Sequence, residues 1–315
     1  MSSDFQELLP TIVKEIANKY STSDILLGRT DKPLPARRVV IDALNELQSV
    51  LFPRYFDSDN VNINNANYYI GHKLSTLHGI MKEQIALALS YMEDASITAK
   101  DSLILKKAEN ICCNFFSSLP RIQEMLLLDA KAGYDGDPAA FSKEQIIFSY
   151  PGFYATYVYR VANVLYKEKV PFIPRIMTEY AHNKTGIDIN AGATIGKFFF
   201  MDHGTGIVIG ETTVIGDYVK LYQGVTLGAL STRGGQHLAG VKRHPTIGDR
   251  VTIYSNASVL GGETNIGHDS VIGGGAFITS SIPANTKVSV TSPEQEIKKD
   301  NSNNELSATE YIYEI

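Results

Sequence analysis

From Ile187 to about Ile282, aliphatic residues return every six positions, and few folds can use such a period. Ile189, Ile195, Met201 and Ile207 are six apart. After a shift of two residues, Ile209, Ile215, Leu221 and Leu227 follow at the same spacing. The interval Ser231 to Thr246 interrupts the series, which resumes with Ile247, Ile253 and Val259, slips by one, and ends on Leu260, Ile266, Ile272 and Ile278. A helix returns to one face after three or four residues, so a fixed period of six over some thirteen hexads is not helical. It suits short strands that each turn one aliphatic side chain inward and then bend at a corner. Glycine often follows the aliphatic residue, as at Gly196, Gly210, Gly216, Gly228, Gly248, Gly267 and Gly273. The expected reason is its tolerance of unusual backbone angles in the turn. Each hexad buries little alone, so stability must come from stacking coil on coil. The pattern predicts a β-helix and leaves its handedness open. At about three hexads per coil, it would have just over four coils.

Before residue 185 the period is helical. Phe153, Tyr157, Val161 and Leu165 lie four apart, and similar stripes run through 4–20, 36–51, 68–95, 100–131 and 153–168. Ser142, with Gln145 three residues on, reads as a capping box. The expected fold class is multi-domain α+β, a helical N-terminal domain (1–182) followed by a parallel β-helix (183–290). The tail, 291–315, mixes Ser and Asn with Glu294, Glu296, Lys298, Lys299, Asp300 and Glu305, and reads as flexible.

The totals exclude several classes. The chain has 315 residues, room for two domains. A net charge of −5 argues weakly against a nucleic-acid partner. No apolar run approaches the ~18 residues of a membrane span. Met1 to Phe5 lacks a basic stretch leading into an apolar one, so no signal peptide is expected. The two cysteines, Cys112 and Cys113, are helix neighbours that point apart. They read as small buried residues of a reducing compartment, which makes the cytoplasm the default.

Chemistry is expected where the period breaks. Asp202 and His203 occupy turn positions in Met201-Asp202-His203-Gly204-Thr205-Gly206. Asp188 lies fifteen residues before His203. With coils of ~18 residues, the two fall on adjacent coils, three residues out of register. A carboxylate there would fix the histidine tautomer and stabilise the imidazolium as it forms. Taken singly, each of these residues reads as an ordinary turn former or surface histidine. The interruption Ser231–Thr246 rejoins the repeats at Arg243 and His244. Arg243 suits a carboxylate, which a guanidinium binds with two hydrogen bonds. His237, at the loop tip, reads as solvated. Asp137-Pro138-Ala139-Ala140 reads by itself as a turn before a helix.

Together these pieces resemble the serine O-acetyltransferase family of hexapeptide-repeat enzymes. The resemblance covers roughly Asp135 to Ile282. It rests on Asp137-Pro138-Ala139, Tyr150-Pro151-Gly152, Gly186-Ile187-Asp188-Ile189, the run Met201 to Thr212, Gln223-Gly224-Val225-Thr226-Leu227-Gly228 and Arg243-His244-Pro245. It implies a left-handed β-helix, and a reaction that moves acetyl from acetyl-CoA to the hydroxyl of L-serine, the first step of cysteine biosynthesis. By position, His203 would be the general base and Asp188 its orienting partner. Asp137 and Asp202 would hold the serine ammonium, and Arg243 its carboxylate with His244 beside it. Ala229, Ser255 and Gly274 are candidate CoA contacts. No metal is expected. The resemblance further implies a homotrimer or a dimer of trimers with sites between subunits, and inhibition by cysteine at the serine site. It also implies docking of the terminal Ile315 in O-acetylserine sulfhydrylase. The chain departs from the family at Asn190-Ala191, where His-Pro is frequent, and at Lys287 to Pro293, in place of Ala-Gly-x-Pro-Ala.

Three other readings compete. A hexapeptide acyltransferase for a sugar, an antibiotic or another amino acid shares the fold and the histidine. A sugar site would have little use for two carboxylates opposite an arginine. A zinc hydratase needs three histidines on one ion, here His203, His237 and His244. A non-catalytic scaffold would not need Asp188, Asp202, His203 and Arg243.

Overall fold

A computed structural model describes residues 4–27, 32–57, 61–62 and 64–291. The expected flexible tail from 292 onward, with Ile315, lies outside the described residues. The helices are α1 (Phe5–Thr22), α2 (Asp24–Leu27), α3 (Arg37–Leu51), α4 (Pro53–Phe56), α5 (Ala66–Tyr91), α6 (Ser102–Gly136), α7 (Lys143–Ser149), α8 (Pro151–Lys167) and α9 (Ile173–Thr185). The five expected stripes correspond to α1, α3, α5, α6 and α8. At α7 the Gln145 N–H donates to Ser142 Oγ at 3.2 Å, as the capping box predicts. The Gln145 side chain, however, accepts from the Phe141 N–H, one residue before the cap.

Leu44, Leu47, Met81, Ile85, Phe115, Leu126, Tyr157 and Leu165 form the centre of the helical core. Cys112 is buried there, and burial pushes its thiol up to about 12. Cys113 is exposed, which corrects the expectation that both cysteines are buried. No described helix is long and apolar enough to cross a membrane.

From Asp188 the chain is a parallel β-helix of very short strands. Sheet A holds β1 (Asp188–Ile189), β4 (Val208–Ile209), β7 (Thr226–Gly228), β10 (Ser258–Leu260) and β13 (Phe277–Ile278). Sheet B holds β2 (Thr194–Ile195), β5 (Val214–Ile215), β8 (Thr246–Ile247) and β11 (Asn265–Ile266). Sheet C holds β3 (Phe200–Asp202), β6 (Lys220–Tyr222), β9 (Thr252–Ile253), β12 (Val271–Ile272) and β14 (Lys287–Val288). Five strands in sheets A and C make about five coils, more than the period alone predicted, because β14 lies past the regular series. Inward residues such as Ile189, Ile209, Leu227, Val259 and Ile278 stack into the second core.

The glycines that follow these residues are there for a different reason than expected. None of Gly196, Gly216, Gly248 or Gly267 has positive φ. The left-handed corner angles fall instead on Phe198, Tyr218, Arg250, Asp269 and Asn285, with φ from 55° to 58°. What the glycines permit is coil-to-coil contact. A Cβ at Gly196 would stand 2.6 Å from the Gly216 carbonyl oxygen, and one at Gly267 would stand 2.3 Å from the Ala284 nitrogen.

Helix α8 closes the open first coil. Its Tyr159 hydroxyl donates to the Ala193 carbonyl at 2.7 Å, and Asn163 Nδ2 donates to the carbonyls of Ala191 and Ala193 at 2.7 and 3.0 Å. Exposed strand edges would otherwise present unpaired backbone groups. Arg160 donates to the Gly196 carbonyl while forming a buried two-pronged pair with Asp129 of α6, at 2.6 and 2.9 Å.

Candidate active site

The corner between sheets C and A carries the first group of residues. β3 ends at Asp202, and the chain bends through His203 (φ 58°), Gly204 (φ 88°) and Gly206 (φ 83°) into β4. The φ of 88° at Gly204 suits glycine, and a Cβ there would also meet Ile187 Cδ1 at 2.5 Å. The turn leaves the His203 side chain 70% exposed. Asp202 is nearly buried, with Oδ1 3.8 Å from His203 Nδ1 and Oδ2 3.7 Å from Lys220 Nζ.

Asp137 and Tyr150 join this corner from the helical side. The Tyr150-Pro151-Gly152 motif has a physical reason: a Cβ at Gly152 would stand 2.6 Å from the Met201 carbonyl oxygen. Glycine therefore lets the start of α8 press against β3. Pro151 occupies the first turn, where its missing N–H costs nothing. The Tyr150 hydroxyl donates to Asp137 Oδ2 at 2.6 Å, and the Ala139 N–H donates to Oδ1 at 2.8 Å. The Tyr150 hydrogen bond, the Ala139 N–H and the charges of Lys220 and His203 hold the Asp137 carboxyl below its ordinary range. Burial and the Asp137 carboxylate push Tyr150 up to about 12. Lys220 Nζ also donates to the Gly136 carbonyl and lies over the rings of Phe200 and Tyr222 at 5.1 and 4.7 Å.

The corner between sheets A and B carries the second group, at the far end of β4. The inserted loop, which contains a short 3₁₀ turn at Gly235–Leu238 with His237 exposed, returns to the helix at Arg243 and His244. Thr212 organises this return. Its hydroxyl accepts from the backbone N–H groups of Arg243 and His244, at 2.9 and 3.1 Å. The Thr212 N–H donates to His244 Nδ1 at 3.1 Å, with the Thr212 hydroxyl 2.9 Å from the same nitrogen. Nδ1 must therefore be the acceptor, and the ring is neutral with its proton on Nε2. Burial, followed by the Arg243 charge, pushes His244 down to about 4. Arg243 pairs with Glu211 Oε2 at 2.5 Å, and Glu211 Oε1 accepts from the Tyr166 hydroxyl at 2.7 Å. Tyr166 and Arg243 hold Glu211 below its ordinary range.

The structure thus brings Asp137, Asp202 and His203 together, and Arg243 beside His244, with strand β4 between the two groups. Asp188 lies on β1, the strand one coil before β4. The first coil takes twenty residues, since Asp188 pairs with Val208, so His203 is five positions out of register rather than three. The Asp188 carboxylate lies with Glu179 and His182, their ligand atoms all within 4.8 Å of one another. Among the described residues, His203 forms an ion pair with Asp202, and none within 4.0 Å joins it to Asp188. His203, His237 and His244 do not converge: among the described residues, the only group of three with metal-ligand spacing is Glu179, His182 and Asp188.

Of the expected CoA positions, Ser255 and Gly274 lie on the same corner as His203. The register carries His203 to Gln223, Ser255 and Gly274 on successive coils. A Cβ at Gly274 would lie 3.2 Å from the Ser255 carbonyl oxygen. Ala229 follows β7 on the other corner, where the inserted loop departs.

Sequence reasoning assigned no role to Tyr150, Lys220, Glu211, Tyr166 or Thr212. Tyr150, Glu211 and Thr212 stand inside the motifs that carry the resemblance, so their place was visible but not their partners. Lys220 and Tyr166 sit in no motif and gave no signal.

No family model matches the chain. A plasmid-encoded serine acetyltransferase of Synechococcus elongatus is 42% identical over 281 residues, spanning 88% of this chain and 86% of that protein. Serine acetyltransferase isoform 3 of Entamoeba histolytica, solved in complex with cysteine, is 35% identical with a TM-score of 0.70, covering 94% of this chain and 96% of that one. The serine acetyltransferase of Neisseria gonorrhoeae in complex with serine is 25% identical with a TM-score of 0.52, covering 81% of this chain and 97% of that one.

Proposed function

The chain belongs to the serine acetyltransferase family, and from that membership we propose how its residues divide the work. The enzyme is an acyltransferase that moves acetyl from acetyl-CoA to the hydroxyl of L-serine, and its product serves cysteine biosynthesis. His203 takes the hydroxyl proton as the serine oxygen attacks the thioester carbonyl. The new C–O bond forms, the tetrahedral carbon expels the CoA sulfur, and the proton held by His203 passes to that sulfur as the thiol leaves. Asp188 orients the His203 ring for this transfer. Asp137 and Asp202 hold the serine ammonium, and Arg243 its carboxylate, with His244 fixing the Arg243 backbone through Thr212. CoA lies along the corner of Ser255 and Gly274, with Ala229 contributing from the other corner.

One observation supports this division above all. The acidic group and Arg243 sit at opposite ends of β4, on different corners of the β-helix. Serine is a zwitterion too small to span a strand. A homotrimer, or a dimer of trimers, would set one chain's Asp137–Asp202–His203 corner against the next chain's Arg243. Cysteine, an isostere of serine, fits the same groups and is proposed as an inhibitor there. The terminal Ile315 is proposed to dock in O-acetylserine sulfhydrylase. Binding of a peptide ending Tyr313-Glu314-Ile315, compared with one lacking Ile315, tests that. The proposed location is the cytoplasm.

The deciding assay is serine-dependent release of thiol from acetyl-CoA. Loss of a positioned base costs ~10²–10⁴ in rate, or about 3–5 kcal/mol. His203→Ala is expected to keep its fold and assembly and lose that much. No thiol release by the wild type would refute the reaction; a full rate in His203→Ala would refute the base.

A further inference from the structure

The end of α9 and the start of β1 hold a group of side chains that the acetyl-transfer chemistry does not require as a set. Glu179 and His182 are three residues apart on α9, hence on one face. Gly186 (φ 69°) ends the helix, its N–H donating to the His182 carbonyl at 2.8 Å. The left-handed turn brings Asp188 back against that face, so that one imidazole and two carboxylates converge within 4.8 Å. His182 Nδ1 lies 3.4 Å from Glu179 Oε2. Two donors each 2.0–2.2 Å from a tetrahedral zinc ion stand about 3.4 Å apart. Glu179 Oε1 is turned away toward Arg175, which leaves Oε2 to the cluster. His182 and Glu179 are each a little over 40% exposed, open to an ion from solution.

We propose that Glu179, His182 and Asp188 bind a divalent transition cation of the Zn²⁺ type, and that the bound ion inhibits acetyl transfer by holding Asp188 away from His203. One nitrogen and two carboxylate oxygens suit such an ion and leave coordination positions for water. The inhibitory half rests on the orienting role given to Asp188 above. The ion is a regulator here, not a cofactor. The sequence predicts no metal site, and the cluster at Glu179, His182 and Asp188 departs from that expectation.

The test uses the full-length, untagged chain freed of metal by a chelator. Zn²⁺ is titrated against a fluorescent zinc chelator, and acetyl transfer is followed by loss of thioester absorbance, which zinc does not disturb. The wild type is expected to hold one Zn²⁺ per chain at this site and to slow as it fills. Outer partners of a metal site alone change affinity by 10–100-fold, so loss of a ligand in His182→Ala should weaken binding by more than about tenfold. That variant should keep the metal-free rate and resist zinc, and Glu179→Gln should behave in the same way. Equal zinc affinity in wild type and His182→Ala would overturn the site. Zinc bound through His182 without effect on the rate would overturn the inhibition. Asp188→Asn separates this proposal from the reading beneath it. If that variant loses zinc but keeps its metal-free rate, the site stands and the orienting role of Asp188 falls. The binding arms decide the site even if the wild type transfers no acetyl to serine.

Discussion

The Tyr150 hydroxyl donates to Asp137 Oδ2 at 2.6 Å, joining the start of α8 to the loop that leaves α6. The bond favours the ionised carboxylate, and with the Ala139 N–H it keeps Asp137 below its ordinary range. Tyr150→Phe removes it. Asp137 must be ionised to hold an ammonium, so its raised pKa should move the acid limb of kcat/KM for serine to higher pH. Losing one hydrogen bond of about 1 kcal/mol predicts a roughly fivefold higher KM for serine with a smaller change in kcat. An unmoved acid limb would show that Tyr150 only packs.

Asp129 and Arg160 predict a stability effect at the seam between helices and β-helix. Both are buried, and the pair also reaches the Phe199 N–H and the Gly196 carbonyl. Burial pushes the Asp129 carboxyl up, and Arg160 opposes that shift. Asp129→Ala leaves a buried guanidinium without its partner, which typically costs 3–5 kcal/mol. Thermal unfolding should show a Tm lower by many degrees. The double variant Asp129→Leu with Arg160→Met should recover much of the loss, because replacing a whole buried pair is often neutral.

Gly210 predicts a defect in the proposed acceptor site. A Cβ there would stand 2.0 Å from His244 Cδ2 and 2.2 Å from Nε2. Gly210→Ala must therefore displace the ring and loosen Nδ1 from Thr212. Overpacking of this kind costs about 1–3 kcal/mol, and KM for serine should rise with the displaced Arg243. Gly71→Ala, with nothing within 4 Å of the added methyl, is the control. It should be neutral or slightly stabilising, since glycine weakens a helix interior.

The β-helix was legible because each inward side chain serves the same purpose, and repetition exposes the period. The candidate site was legible as breaks in it, at Asp202-His203 and at Arg243-His244. What the sequence hid depends on contacts across the period. The Asp188 register failed because the first coil has twenty residues, set by the two-residue shift at Ile207 to Ile209. The glycines were visible, but their cause was not, since approach of the next coil leaves no local mark. Helix α9 escaped detection because its buried face, Ile173, Pro174, Met177, Thr178 and Ala181, mixes small and polar residues with apolar ones. Tyr150 and Thr212 gave only motif membership, because each finds its partner thirteen or more residues away.

His244 predicts a pH dependence of stability with a definite sign. In the folded chain the Thr212 N–H points at Nδ1, so an imidazolium would set one donor against another. Burial and Arg243 lower its pKa to about 4, against an unfolded value near 6.5. Between those values the unfolded chain binds a proton that the folded site refuses, so stability rises with pH. The contribution is complete above about pH 6.5, is lost as pH falls, and is exhausted near pH 4. With allowance for partial solvent access, the loss between about pH 7 and pH 5 should be on the order of 1–2 kcal/mol. Carboxylates also titrate toward the low end, so the comparison is with His244→Asn, whose amide oxygen can take the place of Nδ1 without titrating. Denaturant unfolding at both pH values should show a steeper loss for the wild type. Parallel losses in the two proteins would mean that the His244 ring accepts its proton in the folded state.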